Sequence, residues 1–501
     1  MNKKTRTAIS TAASVAIIVI ILIAGVAAYL YYSSGSGTTT TTTTTTPTTT
    51  TGGVTTTTTT TTTTTPSAPV TLTLITFTDP ATTWMQWAAS QFSKLHPGVT
   101  INIVGQSFGS YLQTEVTAEK TGSSTYDILG FTSTSSHSVL PYLVDLGTSS
   151  YNSTDIPAAQ MNFGGIFTNS TTGQTMVAGL AWDSATFTLF YRTDVFDNAT
   201  LSAQFQSQYG VSLDPHHWTS WNDALYADNF LVNQKHIFQY GILTDAQEAH
   251  DIIDTFPALW GYNYTKLATQ NNWPQGGLTN YNIMFNGAGT NGKPPVPSFN
   301  NSMGVQTLQL YYNLVKYDPQ PFGTEINYGL IGTTFASGKA AGAIMFTPEN
   351  SALVGPTSNV TGKYSAAQFP GGYSETGTDF LGVSKFSQNQ ALAKEFVQYL
   401  VSPQVNAALF TKEGEFPISK AAVGIINANA TIPQWERTLV SDVFATAATA
   451  WANPPNLGPT YTTLIPDFNT PIYQYLQGDG SATSAMAALN QAAAAWVKDV
   501  G

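Results

Sequence analysis

Only 9% of the 501 residues are charged, and acidic side chains outnumber basic ones 29 to 18, for a formal net charge of −11. No basic footprint exists to neutralise phosphates, which excludes nucleic acid as a partner. Cysteine is absent, so a chain of this length must hold itself together by its cores alone, without disulfides.

Lys3, Lys4 and Arg6 precede an apolar run at 12–32, AASVAIIVIILIAGVAAYLYY. The run is long enough to cross a hydrocarbon core of about 30 Å. No positive charge follows until Lys94, so the positive-inside rule places the rest of the chain outside. Tyr29, Tyr31 and Tyr32 stand where interfacial aromatics belong. Residues 1–32 are therefore expected to be a retained membrane anchor. A cleaved signal peptide is the rival reading, with the charged start but no clear small-x-small exit site. The peptide KKTRTAIS also loosely resembles archaeal prepilin-like signals that are clipped before the hydrophobic stretch.

Residues 33–69 are dominated by Thr, broken by Pro47, Gly52, Gly53, Val54 and Pro66. Such a tract has nothing apolar to bury and is expected to be a disordered, extended linker. At about 3.1 Å per residue its threonines reach up to about 100 Å, a spacer that lifts a tethered domain off the membrane. The hydroxyl density suits O-glycosylation. Sequons at Asn152, Asn169, Asn198, Asn263, Asn300, Asn359 and Asn429 suit an extracellular, N-glycosylated surface. Scarce charge fits either an acidic exterior, where carboxylates would neutralise, or solubility supplied by glycans.

From residue 70 the pattern is α/β. VTLTLITF alternates as a strand, and ATTWMQWAASQFSKLHPG is helical, closed by Pro97-Gly98. VTINIV is a second strand, SYLQTEVTAEKTG a second helix ended by Gly122, and YDILGF a third strand. This alternation predicts parallel βαβ units. Between the second strand and helix lies Gly105-Gln106-Ser107-Phe108-Gly109, the G-x-S-x-G spacing of a nucleophile elbow. The six histidines stand at 96, 137, 216, 217, 236 and 250, so the second half of the chain offers no partner for a Ser-acid-His order. Gly105 and Gly109 are read instead as a strand-to-helix turn with backbone lying close to a ligand.

Longer stretches resemble the family 1 extracellular solute-binding proteins of ABC importers, in the archaeal membrane-tethered form. FSKLHPGVTINIV is similar to the family's F-x-x-x-x-P-G turn before a V-x-V strand. VAGLAWDSATFTLFYRTDVFDNA, 177–199, resembles its crossover, and HWTSWNDAL, 217–225, its P-x-TWDEL helix start. TTFASGKAAGAIMFTPE, 333–349, resembles F-x-x-GKAAM-x-x-x-G. Residues 379–422 resemble the segment that ends in EFLKFLTSPE and G-x-LP.

The resemblance implies a two-lobe α/β fold of the periplasmic-binding-protein type over 70–501, with a hinge and an interlobe cleft. Lobe one would be about 70–185 and 340–400, and lobe two about 186–339 and 401–501. It further implies a monomer without cofactor that closes over one small solute and delivers it to an ABC permease. Mono- or oligosaccharides are the commonest family ligands.

A sugar needs flat apolar faces and planar hydrogen-bonding groups. Trp84, Trp182, Trp260, Trp273 and Tyr373 are the candidate stacking platforms. Asp79, Asp183, Asp245, Glu349 and Asp379 are the candidate hydroxyl partners, with Gln86, Ser107 and Thr134 beside them. At Thr347-Pro348-Glu349 the family usually shows Gly and Trp, so a carboxylate contact is expected there instead. Few arginines are present and none cluster, which disfavours an anionic solute. His216-His217 lacks a third ligand for a metal, and Asp214 reads as a turn residue. A cell-surface glycoside hydrolase and a structural or adhesion glycoprotein are the competing classes.

Overall fold

The computed structural model describes Thr41–Thr44, Thr60–Thr63 and the chain from residue 69, except 163, 169–171, 249–251, 272–282, 285–295, 320–327, 371–373, 453–460 and 501. The chain divides into two compact units, 1–70 and 71–501. In the first, β1 (Thr41–Thr44) pairs antiparallel with β2 (Thr60–Thr63), a pairing that β-branched threonine favours. No helix of the described residues is long and apolar enough to cross a membrane; the apolar run at 12–32 lies outside the described residues.

The second unit is built on two sheets. β3 (Val70–Phe77), helix α1 (Ala81–Leu95), β4 (Val99–Gln106), helix α2 (Phe108–Lys120) and β5 (Ile128–Thr132) follow the alternation predicted from sequence. β6 (Ile166–Thr168) and β7 (Thr175–Val177) form a small hairpin. The first sheet has the order β4-β3-β5-β14-β8, where β8 is Leu180–Ala181 and β14 is Asp379–Val383. β3 runs parallel to β5, while β14 runs antiparallel to β5 and β8. β5 and β14 are buried along their whole length, as central strands of a two-sided sheet should be.

The second sheet centres on β9 (Thr186–Arg192), every residue of which is buried. Its order is β10 (Tyr240–Leu243), β11 (Ala340–Phe346), β9, β13 (Glu375–Thr376) and β15 (Trp451–Ala452), with β12 (Tyr364–Ala367) also on β9. β11, β12 and β13 all pair with β9, so residues 340–376 belong with the second sheet, a correction to the expected grouping of 340–400 with lobe one. The helix Pro403–Glu413, expected in lobe two, packs instead against α1. Helices 434–449, 461–476 and 482–500 lie with the second sheet and its helices 252–271 and 302–315.

The chain passes between the sheets three times: at 182–185 between β8 and β9, at 377–378 between β13 and β14, and at 414–419 after helix 403–413. The passages are bonded to one another. Ser184 N–H donates to Phe416 O at 3.1 Å, Gly377 N–H to Ala185 O at 2.7 Å, and Trp182 N–H to Asp379 O at 3.1 Å. Asp183 also bridges antiparallel to Pro417. Asn406, wholly buried, clips the first passage to the third. Its Nδ2 donates to Trp182 O at 2.6 Å, and its Oδ1 accepts from Ile418 N–H at 3.0 Å and Ser419 N–H at 3.2 Å.

Candidate functional site

The carboxyl ends of β3, β4, β5 and β8 and the start of β14 all face the passages, where open α/β sheets present their ligand sites. Asp79 follows β3 and opens α1. Its carboxylate accepts from Thr82 N–H at 3.1 Å, and Thr82 Oγ1 accepts in turn from Asp79 N–H. Ser107 follows β4 and is exposed at the start of α2. The loop after β5 is a run of hydroxyls. Thr132 Oγ1 and Thr134 Oγ1 lie 2.7 Å apart, and Thr132 N–H donates to Ser135 Oγ at 3.0 Å. Ser133 Oγ is buried there without a hydrogen-bond partner.

Sequence reasoning missed Phe108. Its ring is 48% exposed at the first turn of α2 and is backed edge-on by Phe77 at 5.3 Å and by Tyr111 at 5.8 Å. It therefore offers the apolar face expected of tryptophan. The signal was present, since Phe108 lies inside the G-x-S-x-G motif, but attention to Ser107 hid it. Among the described residues no imidazole contacts Ser107: its Oγ is 2.7 Å from Ser110 Oγ, and its carbonyl accepts from Ser110 and Tyr111 N–H. It is the residue that starts a helix. Gly105 is small because a Cβ there would lie 2.6 Å from Thr78 Oγ1, so a neighbouring side chain is enough to require it.

Trp84, Trp182 and Trp260, three of the four tryptophans expected as platforms, are core residues, which corrects the expectation for them. Trp84 and Trp182 are buried and stack on each other at 5.7 Å, and Trp84 Nε1 donates to Val405 O at 2.9 Å. Their faces are spent on each other beneath the passages. Trp260 is buried in the helical layer of the second sheet, with Nε1 donating to Ser298 Oγ at 2.8 Å. Trp273 and Tyr373 lie outside the described residues.

The expected hydroxyl partners separate as well. Gln86 lines a shallow groove of about 580 Å³ between α1 and the edge strand β4, away from the passages. Asp245 is buried after β10, its Oδ1 accepting from Gln247 N–H at 3.1 Å and its carbonyl from Tyr311 Oη. Glu349 is half-buried after β11 and leans on helix 328–336, where a Cβ on Gly332 would meet its Oε2 at 3.0 Å. Thr134 is nearly buried in the hydroxyl loop.

Asp79, Asp183 and Asp379 do come together, joined by Glu415, which sequence reasoning did not single out. Asp379 N–H donates to Asp183 Oδ1 at 3.0 Å. Burial is the chief reason Asp183 is pushed up to about 8, opposed by the amide of Asp379 and reinforced by the charge of Asp79. Asp79 keeps part of its surface open, yet it loses enough water to be pushed up to about 6 despite its bonds from Thr82. Asp379 and Glu415 are held well above the usual carboxylate range by burial and then by their acidic neighbours.

Five of the sequon asparagines, Asn152, Asn198, Asn300, Asn359 and Asn429, are exposed. Asn263 instead sits part-buried inside helix 252–271 with Nδ2 donating to Thr307 Oγ1 at 3.0 Å, a poor glycan acceptor; Asn169 lies outside the described residues. Asp214 caps a short turn, accepting from His216 N–H at 3.0 Å. Among the described residues no three His, Asp or Glu side chains are grouped to hold a metal ion.

Comparison with known proteins places this architecture. No curated protein matches the chain in sequence. Among solved structures it is similar to a maltose-bound T. maritima protein, MalE3, with TM-score 0.63 and 15% identity over 84% of this chain and 98% of that one. An ABC transporter solute-binding protein from Agrobacterium radiobacter K84 in complex with ribitol gives TM-score 0.62 and 18% identity, covering 86% and 99%. The GacH receptor of Streptomyces glaucescens GLA.O, solved unliganded and with acarbose, gives TM-score 0.62 and 17% identity, again over 86% and 99%. The profile of the bacterial extracellular solute-binding proteins matches residues 75–407. With two sheets, three passages and a match across both, the chain belongs to the bacterial extracellular solute-binding protein family and is a binding protein, not an enzyme.

Proposed function

We propose that the protein captures a neutral mono- or oligosaccharide outside the cell and hands it to an ABC permease. The observation that carries this reading is the rim above the passages. There an exposed aromatic face, Phe108, stands beside Ser107, Asp79 and the hydroxyl loop 132–135, with no cation among them. Apolar ring faces with hydroxyl and carboxyl acceptors suit a sugar's C–H and O–H surfaces. The two arginines among the described residues are engaged elsewhere: Arg192 with Asp194 at 2.6 Å at the far end of β9, and Arg437 with Gln434 at 2.7 Å. Among the described residues this leaves no arginine clamp for a carboxylate or phosphate. The maltose-, ribitol- and acarbose-bound relatives support the same ligand class.

Affinity would be coupled to approach of the two sheets, because a solute touching both gains contacts only when they close. The apolar run 12–32 would tether a monomer at the surface and the threonine tract would space it. Isothermal titration against a panel of neutral sugars, with sugar phosphates and uronic acids alongside, tests the reading. Binding of a neutral sugar is expected. Silence across the neutral panel, or binding confined to the anions, overturns it.

A further inference from the structure

Each passage between the sheets carries one buried carboxyl or lies directly beside one. Asp183 belongs to the first, Asp379 borders the second, and Glu415 belongs to the third; Asp183 and Glu415 are each 1% exposed and Asp379 6%. Asp79, at the start of α1, completes the group from the rim. The Asp379 amide donates to Asp183 Oδ1 at 3.0 Å, which brings the two carboxyls close enough to act on each other's protonation. Two neighbouring carboxyls taken out of water do not both ionise readily, so one proton between them is favoured.

Glu415 is aimed into the group, with Asp79 and Asp183 as its strongest charged neighbours. Both its oxygens are buried without a hydrogen bond of normal geometry, although the Ala81 amide lies close enough to ease its ionisation slightly. The other titratable groups facing the cluster are Tyr111 from α2, near Asp379, and Glu413 beside Glu415. The nearest basic side chain in sequence, Lys412, lies over the ring of Trp87 at 4.6 Å. Asp155 is occupied at the far edge of the third passage, accepting from Ser419 Oγ at 2.6 Å and Ala421 N–H at 2.7 Å. No lysine, arginine or histidine is among the main influences on any of the four carboxyls.

Four carboxylates could not share this space ionised, because burial and mutual repulsion oppose each charge and no cation compensates. We propose that Asp79, Asp183, Asp379 and Glu415 form a proton-held latch across the junction of the two sheets. With protons in place the passages pack on one another as seen; as protons leave, the junction loosens and the sheets lose their fixed relation. The latch would make the binding protein most competent in acid and relax it toward neutral pH. It bears on the site proposed above, since the junction governs how the sheets meet, but its test needs no solute, so the two readings fail separately.

The sign follows from linkage. An acid whose pKa is raised by folding holds its proton longer in the folded state. Between the unfolded value near 4 and the folded value, about 6 for Asp79 and about 8 for Asp183, the folded protein binds more protons. The stability these carboxyls contribute is therefore fully present below about pH 4 and is lost as pH rises through that window.

The experiment is thermal unfolding of the full chain without solute from pH 3.5 to 8, for the wild type and for Asp183→Asn, Glu415→Gln and their combination. Amide hydrogen exchange at Ser184, Gly377 and Ser419 is followed in parallel as protection factors. The wild-type melting temperature is expected to fall by roughly 10 °C or more across the range. The double variant, which mimics the protonated acids, is expected to remove at least about half of that fall. Protection at the three amides should drop in the wild type between pH 5 and 8 and hold in Glu415→Gln, which serves if the double variant does not fold. A wild-type melting temperature that rises from pH 4 to 7 overturns the latch. So does a fall of equal size in the variants, or recovery at pH 8 on adding magnesium or calcium, which would make the cluster a cation site.

Discussion

The junction and the rim above it are neighbours in sequence and opposites in physics. Trp84, Trp182 and Asp183 are sealed inside, whereas Asp79, Ser107 and Phe108, a few residues or one strand away, keep open surface. Burial divides one residue type into two roles. An aspartate at the rim, even with its carboxyl pushed up, keeps some open surface to offer a ligand, while an aspartate sealed in the junction must keep a proton or lose its place. Substitutions in the junction should therefore act on stability, and substitutions at the rim on binding.

The largest effect is expected at Trp84. Trp84→Ala removes a buried indole, its stack on Trp182 and its bond to Val405 O, at a cost of about 4 kcal/mol. Urea denaturation measures it, and a loss below about 1 kcal/mol would mean that the junction repacks freely. Asn406→Ala comes next. It leaves the carbonyl of Trp182 and the amides of Ile418 and Ser419 buried without their partner, and should cost about 3 kcal/mol. Asn406→Asp should recover part of that loss in acid but not at neutral pH. The new carboxyl can donate to Trp182 O only while it is protonated.

Much of this division could be read in the chain before folding. Strand and helix alternation placed β3, α1, β4, α2 and β5 within a few residues, because each strand is bounded by its own turn chemistry and each helix shows its apolar stripe. The grouping of 340–376 was not legible. AAGAIMF is a buried strand whichever sheet it joins, and only its register with β9, Gly342 opposite Tyr191, decides the matter. At the site, composition drew attention to tryptophan, the usual platform. Trp84 has an apolar ring large enough for either role, and its carbonyl partner Val405 lies 321 residues away, a contact no local pattern encodes. Glu415 escaped for the same reason: its acidic companions come from three distant segments.

At the rim, Phe108→Ala removes an exposed ring, so stability should change by less than about 1 kcal/mol. Affinity for the neutral sugar found by titration should weaken roughly tenfold, about 1.4 kcal/mol. The split between the two readouts is the point. A loss of stability equal to the loss of affinity would move Phe108 from the rim to the core.

The smallest effect is expected at Ser107, the residue that motif reading alone would place at the centre of a reaction. Its hydroxyl is exposed, makes a single side-chain contact with Ser110 Oγ, and does not cap the helix through its side chain. Ser107→Ala should therefore cost no more than about 0.5 kcal/mol and leave sugar affinity within about threefold, because Ser110 and the hydroxyl loop remain to solvate the rim. A serine nucleophile would behave differently. It would lose all turnover on ester substrates and all labelling by an organophosphonate, whatever the pH. Labelling of the wild type at Ser107 would require an activating base, yet among the described residues no imidazole contacts Ser107, and no histidine follows His250 in the chain. The strand needs a residue that starts α2 with extended backbone, φ −61° and ψ 146°, and serine supplies that whether or not any chemistry follows.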